Sequence, residues 1–275
     1  KVWRGENPPF GAVISYFIRD TVRNLRFTVK DGQGQVVRTL RDSIATPGVH
    51  RMVWDLRYDA SPTGEPVVGA GGPGGGGGFG GFGGGGPLAV PGSFTVTLAA
   101  GGKEVTKPIT VEPDPRATVP LGDLIAQRNT ALELRELSAR VNRVLGRTNN
   151  LMQQLTSLGG VLRQNAPAEK TAIDEARGAL DELRSFRDGE LARPLAGLGY
   201  RQYPRLREEV QSLYGSVMRS LNRPTDAQLL RRGELDAEAT AAEAQLNGII
   251  NGRIAKLNAM LKNLPHIMVA GGGIS

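Results

Sequence analysis

The stretch "NLRFTVKDGQGQVVRTL", residues 24–40, decides how the first half of the chain folds. Over residues 24–31, Leu25, Phe27 and Val29 alternate with Arg26, Thr28 and Lys30. Successive side chains of a strand point to opposite faces, so this period of two describes a strand with one face buried and the other in water. "DGQGQ" (31–35) supplies turn residues, with glycine free to take the positive φ of a tight reversal. "VVRTL" (36–40) is then the returning strand of a hairpin.

Working outward, "GAVISYFI" (11–18) is a β-rich run and reads as the strand before the hairpin. "TPGVHRMVWDLRYD" (46–59) opens with a Pro-Gly turn and places Val49, Met52 or Val53, and Trp54 in an extended run. "PGSFTVTLAAGGKEVTKPITVEP" (91–113) repeats the logic, with a strand through Phe94, Val96 and Leu98, a "GG" turn and a last strand "KPITV". Six or seven short strands, with turn signals roughly every 8–12 residues, predict an immunoglobulin-like antiparallel β-sandwich over residues 1–115. Trp54 is its expected core anchor, since a large aromatic on an inner strand fills the space between two sheets; a sugar-stacking platform is the functional alternative. Asp55 is expected to cap or hydrogen-bond the turn that follows.

Inside this region lies "GAGGPGGGGGFGGFGGGGP" (69–87), in which 14 of 19 residues are glycine. A phosphate loop of the Walker type ends in G-K-[ST], and a dinucleotide loop runs from a strand into a helix. This segment contains neither Lys nor Arg, ends in Pro87 and precedes a strand, so it matches neither motif. It reads as an expanded hairpin or loop tip, where insertions cost little, with Phe79 and Phe82 as its only groups able to dock on a neighbour.

After "VEPDPRATVP" (111–120), a proline-rich connector with residues 116–120 as the linker, the period changes to 3.6. Leu134, Leu137, Val141, Val144, Thr148, Leu151, Leu155, Leu158 and Leu162 mark one helix over 121–164, which Gly159-Gly160 is expected to kink or end early. A second helix follows "NAP" (165–167), carries Ile173, Ala176, Leu180, Leu183 and Leu191, and stops before Pro194. A third runs from near Pro204 through Leu206, Val210, Leu213, Val217 and Leu221. The fourth starts at Thr225, an N-cap with Gln228 three residues on, and has its stripe at Leu235, Ala239, Ala242, Leu246, Ile250, Ile254, Leu257, Leu261 and Leu264. Four helices with short connections predict an antiparallel four-helix bundle over 121–265, its leucine stripes facing one another, and an apolar tail over 266–275. Stripes of this spacing also serve intermolecular coiled coils. The fold class is therefore α+β and multidomain: sandwich first, bundle second.

The formal charge is +7, with a pI near 10.0. Residues 1–115 carry 12 Lys/Arg against 10 Asp/Glu, and residues 116–275 carry 22 against 17, so the excess is thin and interleaved with acids. No basic run marks a nucleic-acid patch, and no nucleic-acid partner is expected. The absence of cysteine excludes disulfides and thiolate chemistry, and no apolar run approaches the ~18 residues of a membrane-spanning helix. His50 and His266 have no companion at metal-ligand spacing, and no G-x-S-x-G elbow is present. Glu133, Glu136, Asp174, Glu175, Asp181, Glu182, Glu208 and Glu209 fall on helix faces, where a solvated surface explains them; Asp55 and Asp59 are the acids to watch for ion binding. No catalytic, cofactor-binding or metal-binding residue is expected.

The order "LRFTVKDGQGQVVRTL", "TPGVHRMVWDLRYD", "VPGSFTVTLAAGGKEVTKPITV" resembles the FlgD/fibronectin-like immunoglobulin module. With "GENPPFGAVISYFI" ahead of it and a helical tail behind, the chain is similar to the C-terminal region of secreted sortilin/BNR-repeat, glycosyl-hydrolase-like β-propeller proteins of environmental bacteria. That resemblance implies one or two propellers upstream and a secreted, periplasmic or cell-surface location. It also implies a non-catalytic role, packing on the propeller or assembling with other subunits or a second copy. An accessory part of a glycoside-hydrolase-like enzyme, and a surface-adhesion module, are the rival expectations. "KVWRGENPPF" (1–10) reads as the interior of a longer polypeptide.

Overall fold

A computed structural model describes residues 10–60, 86–194, 203–261 and 265–269. Two antiparallel sheets fill the N-terminal part. Strands β1 (Ala12–Ile18) and β4 (Gly48–Trp54) form a two-stranded sheet, and β3 (Val36–Ala45), β2 (Val22–Asp31), β5 (Gly92–Ala100) and β6 (Lys103–Val111) form a four-stranded one in that order. The hairpin at residues 24–40 is β2–β3, with Phe27 opposite Leu40 and Thr28 opposite Thr39. Its register shifts between Val29 and Lys30, the extra residue of a bulge, and this turns Val37 into the core at 1% exposure.

Both sheets feed one buried cluster. Tyr16, Ile18 and Trp54 come from the first sheet, and Leu25, Phe27, Val29, Phe94 and Val96 from the second. The contacts between them are aromatic edges on faces: Tyr16 with Phe27 at 5.0 Å and Trp54 with Phe94 at 5.2 Å. β1 and β2 follow each other in sequence but lie in different sheets, and so do β4 and β5. The glycine-rich insertion lies on the connection from one sheet to the other, with residues 56–58 and 86–89 paired antiparallel at its base. Most of it, with Phe79 and Phe82, lies outside the described residues.

Four helices follow. Helix α1 is Leu121–Asn165, α2 is Lys170–Phe186 and α3 is Leu206–Arg219. Helix α4, Asp226–Ile249, continues through a π turn at Ile250–Ile254 into α5, Ala255–Met260. Gly159 and Gly160 lie inside α1 without ending it: Leu155, Leu158 and Leu162 are buried on one face across them, so packing outweighs the roughly 1 kcal/mol that each helical glycine costs. The buried side of α2 is Ala172, Ala176, Ala179, Leu183 and Phe186, a narrower face than the expected Ile173–Leu180 stripe. Thr225 caps α4, accepting from the Gln228 amide while the Gln228 side chain accepts from Thr225 N–H.

Two compact units are distinguished, with the change inside α1 between Leu132 and Glu133 and with residues 220–223 grouped with the first. Leu132 packs against the sheet cluster, and Arg128 donates to the Tyr58 hydroxyl at 3.1 Å, so the first turns of α1 count with the strands. Within the helical unit, ion pairs fix the directions. Along α1 the partners advance from Glu133 with Arg232 to Arg140 with Asp236 and Glu243, so α1 and α4 run parallel. Along α2 they recede: Glu175 meets Lys256, Glu182 meets Arg253 and Glu190 meets Gln245. Helix α3 also opposes α4, through Glu209 with Arg231 and Ser216 with Gln228.

Helices α2 and α3 thus point the same way, and the expected strict alternation of four neighbours does not hold. Length is the reason. At 1.5 Å per residue α4 through α5 spans about 52 Å, whereas α2 with its π turn spans about 33 Å and α3 about 21 Å, so the two short helices lie in series along the long one. Arg253 passes over Gly178 to reach Glu175 and Glu182, at 3.4 Å and 2.7 Å. A Cβ at Gly178 would stand 2.6 Å from that guanidinium.

The stem of the glycine-rich insertion is closed by its own bonds: Tyr58 N–H to the Pro87 carbonyl, Gly86 N–H to the Tyr58 carbonyl and Ala89 N–H to the Leu56 carbonyl. Replacing residues 62–84 with a four-residue Gly-Ser link is therefore expected to leave the unfolding midpoint in urea within the error of the wild type. A cooperative loss of the β-sheet circular-dichroism signal in that variant would show that the insertion is structural.

Candidate interaction site

The segment Trp54–Asp59 organises the end of the first sheet. Trp54 is fully buried, and its indole N–H donates to the Arg57 carbonyl at 3.0 Å, so the ring is both packed and satisfied. Leu56 takes a φ of +55°, a strained value for a side chain with a Cβ, and this bend lets Asp55 accept from Arg57 N–H at 3.2 Å. The chain then runs along the outer edge of β3. Asp59 N–H donates to the Val37 carbonyl at 2.8 Å, and the Asp59 carboxylate accepts from Thr39 N–H at 3.2 Å.

Asp55 and Asp59 are the acids singled out for an ion, and they converge on Arg38, at 3.6 Å and 3.7 Å. The guanidinium stands where a cation would, and it also donates to the Tyr58 carbonyl at 3.2 Å. The chemistry of this corner is that of an internal ion pair holding a strand edge. No group of three or more metal-ligating side chains is present among the described residues. His50 is stacked on Tyr16 at 5.3 Å with Nε2 against the Thr46 carbonyl, and His266 contacts the Leu261 carbonyl. Seven of the helix-face acids, Glu133, Glu136, Glu175, Asp181, Glu182, Glu208 and Glu209, stand in ion pairs with arginines. Glu133, Glu175, Glu182 and Glu209 join one helix to another, whereas Glu136 and Asp181 pair within their own helix.

The two sheets differ on their outward faces. On the four-stranded sheet the outward row is polar: Thr39, Thr28, Thr97 and Thr106 are cross-strand neighbours in one line, with Thr97 and Thr106 hydroxyls 2.8 Å apart, and Arg41 and Arg26 lie beside them. That is the pattern of a sheet facing water. On the two-stranded sheet, Ile14, Tyr16 and Ile18 point inward, which turns Val13, Ser15 and Phe17 outward. In register opposite them stand Val53, Arg51 and Val49. Phe17 is 68% exposed and its partner Val49 75%, with Phe10 and Val13 also exposed nearby in sequence. Single exposed apolar residues are ordinary; here two apolar cross-strand pairs share one face, with Ser15 and Arg51 between them.

This face was missed in the sequence because "GAVISYFI" is apolar throughout, which hides which residues point outward; the signal was the absence of charge at positions 13, 15 and 17. Trp54 and Asp55 lie at the inner end of the same sheet, while Phe79 and Phe82 lie outside the described residues. No helix among the described residues is long and apolar enough to cross a membrane. No family model matches the chain, and no curated protein is significantly similar to it.

Two outcomes follow for this end of the molecule. Trp54→Ala should cost about 3–5 kcal/mol in urea unfolding, because it leaves a cavity between the sheets and strands the Arg57 carbonyl. Burial, and then the Asp42 carboxylate that accepts from it at 3.2 Å, push the Tyr16 phenol above its ordinary pKa of 10.0. The fold favours the neutral phenol, so its contribution is fully present below pH 10 and is lost as pH rises through the elevated value. Tyr16→Phe should make stability fall less steeply above pH 10, as read from urea midpoints at successive pH values.

Proposed function

We propose that this chain is a non-catalytic structural and interaction module: an immunoglobulin-like sandwich followed by a helical bundle, at the C-terminal end of a larger secreted or periplasmic β-propeller protein of the sortilin/BNR-repeat type. The sandwich reading rests on two antiparallel sheets sharing one aromatic core, and the bundle reading on helices fastened by cross-helix ion pairs. In that bundle α1, the α4–α5 rod, and α2 followed by α3 make three long columns.

The observation that carries the function is the outward Phe17–Val49 face of the two-stranded sheet. Among the described residues, each of its two strands is paired with the other alone. A sheet face that carries exposed Phe17, Val49 and Val13 gains by being covered, and a domain tethered ahead of β1 reaches it at high effective concentration. In this reading the chain packs its first sheet on the propeller. The cross-helix arginines Arg140, Arg231, Arg232 and Arg253 are each paired with acids, which leaves the alternative of adhesion to an anionic matrix by a basic bundle with less free charge to use.

Intact mass and N-terminal sequencing of the natural protein should place propeller sequence ahead of residue 1. In that protein, amide exchange over 12–18 and 48–54 should be at least about tenfold slower than in the isolated chain. A Phe17→Ser/Val49→Ser double variant should abolish the difference while keeping the chain's own unfolding midpoint near the wild-type value, as surface substitutions do. Equal exchange in the natural protein and the isolated chain overturns the packing reading.

A further inference from the structure

The tail is held on the helical unit by contacts that read a peptide backbone. Two amide side chains each engage one tail residue twice. The Asn258 side chain donates to the Ile267 carbonyl at 2.9 Å and accepts from Ile267 N–H at 2.8 Å. The Gln154 side chain does the same for Met268, donating to its carbonyl at 2.8 Å and accepting from its N–H at 2.7 Å. Asn150 accepts a further hydrogen from the Gln154 amide at 2.7 Å and fixes its orientation.

Successive residues of an extended chain present their N–H and C=O to opposite sides, so α5 takes residue 267 and α1 takes residue 268, as neighbouring strands would. One side chain is swallowed: Ile267 is 4% exposed, whereas Met268 is 75% exposed. Beside the seated tail the groove leaves a cavity of about 410 Å³, walled by Pro265, His266 and Ile267 of the tail and by Asn150, Gln153, Gln154, Ser157, Leu158 and Val161 of α1. None of these is charged, in a chain of which 22% is Asp, Glu, Lys or Arg, and the tail "HIMVAGGGIS" (266–275) has none of those residues either.

We propose that this groove is a binding site for an extended, uncharged peptide segment of a partner protein with one aliphatic anchor, and that residues 266–269 are the placeholder such a segment displaces. Backbone-directed amides accept many sequences, the Ile267 cavity selects an aliphatic residue at one position, and the neutral walls disfavour a charged one. While the tail is seated, the apparent affinity for a partner is reduced by the fraction of closed grooves. The site does not rest on the Phe17–Val49 face, and the Phe17→Ser/Val49→Ser variant leaves it unchanged.

The test uses the full chain and a fluorescein-labelled synthetic peptide of residues 265–275. The Ile267→Asp chain, whose own tail no longer seats, should bind the peptide saturably and at least about tenfold more tightly than the wild-type chain does. Adding Asn258→Ala to that chain should weaken binding at least about tenfold, with the helical circular-dichroism signal retained. In the wild-type chain, excess peptide should speed exchange of the Ile267 and Met268 amides. Equal binding of the peptide and of its Ile→Asp version overturns the site. A concentration-dependent dimer of the wild-type chain, lost in Ile267→Asp, overturns the partner assignment in favour of tail exchange between copies.

Discussion

The buried indole of Trp54, packed edge-on against Phe94 and hydrogen-bonded to the Arg57 carbonyl, is the point at which the two sheets become one body. From that ring the chain turns through Leu56 at positive φ and lies down on the edge of β3, where Asp59 satisfies Val37 and Thr39. Leu56, Arg57 and Tyr58 of the same stretch pair with 86–89 and so close the stem of the glycine-rich insertion. A Cβ at Gly86 would overlap the Asp59 carbonyl, so glycine there is a packing requirement, unlike a residue chosen for flexibility. Losing the indole would therefore loosen the sheet contact, the β3 edge and the stem together, because one stretch of backbone serves all three.

The helical unit depends on a different device. Its buried faces are lined with Leu and Ala, which pack from many directions nearly as well, so apolar contact alone leaves the order and direction of helices weakly specified. The ion pairs supply that specification. Arg140 reaches Asp236, Thr240 and Glu243 across one helix–helix contact, and burial of Glu243 beside it makes that geometry costly to exchange for another. Hydrogen bonding to Glu243 is the largest influence on the Arg140 guanidinium and raises its pKa.

Much of the fold was legible in the chain because each local signal agreed with the packing that followed. The alternation at Leu25, Phe27 and Val29 became three fully buried side chains, and the Thr225–Gln228 spacing became a capping box. Signals that failed did so where a residue's partner lay far away in sequence. Gly159-Gly160 read as a break, but Leu158 and Leu162 had partners to hold the helix through it. "GAVISYFI" read as a β-rich strand with no sign of which residues face out; Tyr16 and Ile18 are buried and Phe17 is left outside. Gln154 and Asn258 carried no signal at all, since an amide on a helix looks like surface until a backbone is found beside it.

By itself the sequence determined the element types and the divide between a period of two and a period of 3.6, because these depend on neighbours within a few residues. Only the tertiary structure decided that β4 and β5 belong to different sheets, that α2 and α3 lie in series along α4, and which apolar residues face outward. The reason is physical. Periodicity fixes which side chains share a face of one element, but which face is covered depends on contacts between residues tens to a hundred positions apart, and no local pattern encodes those.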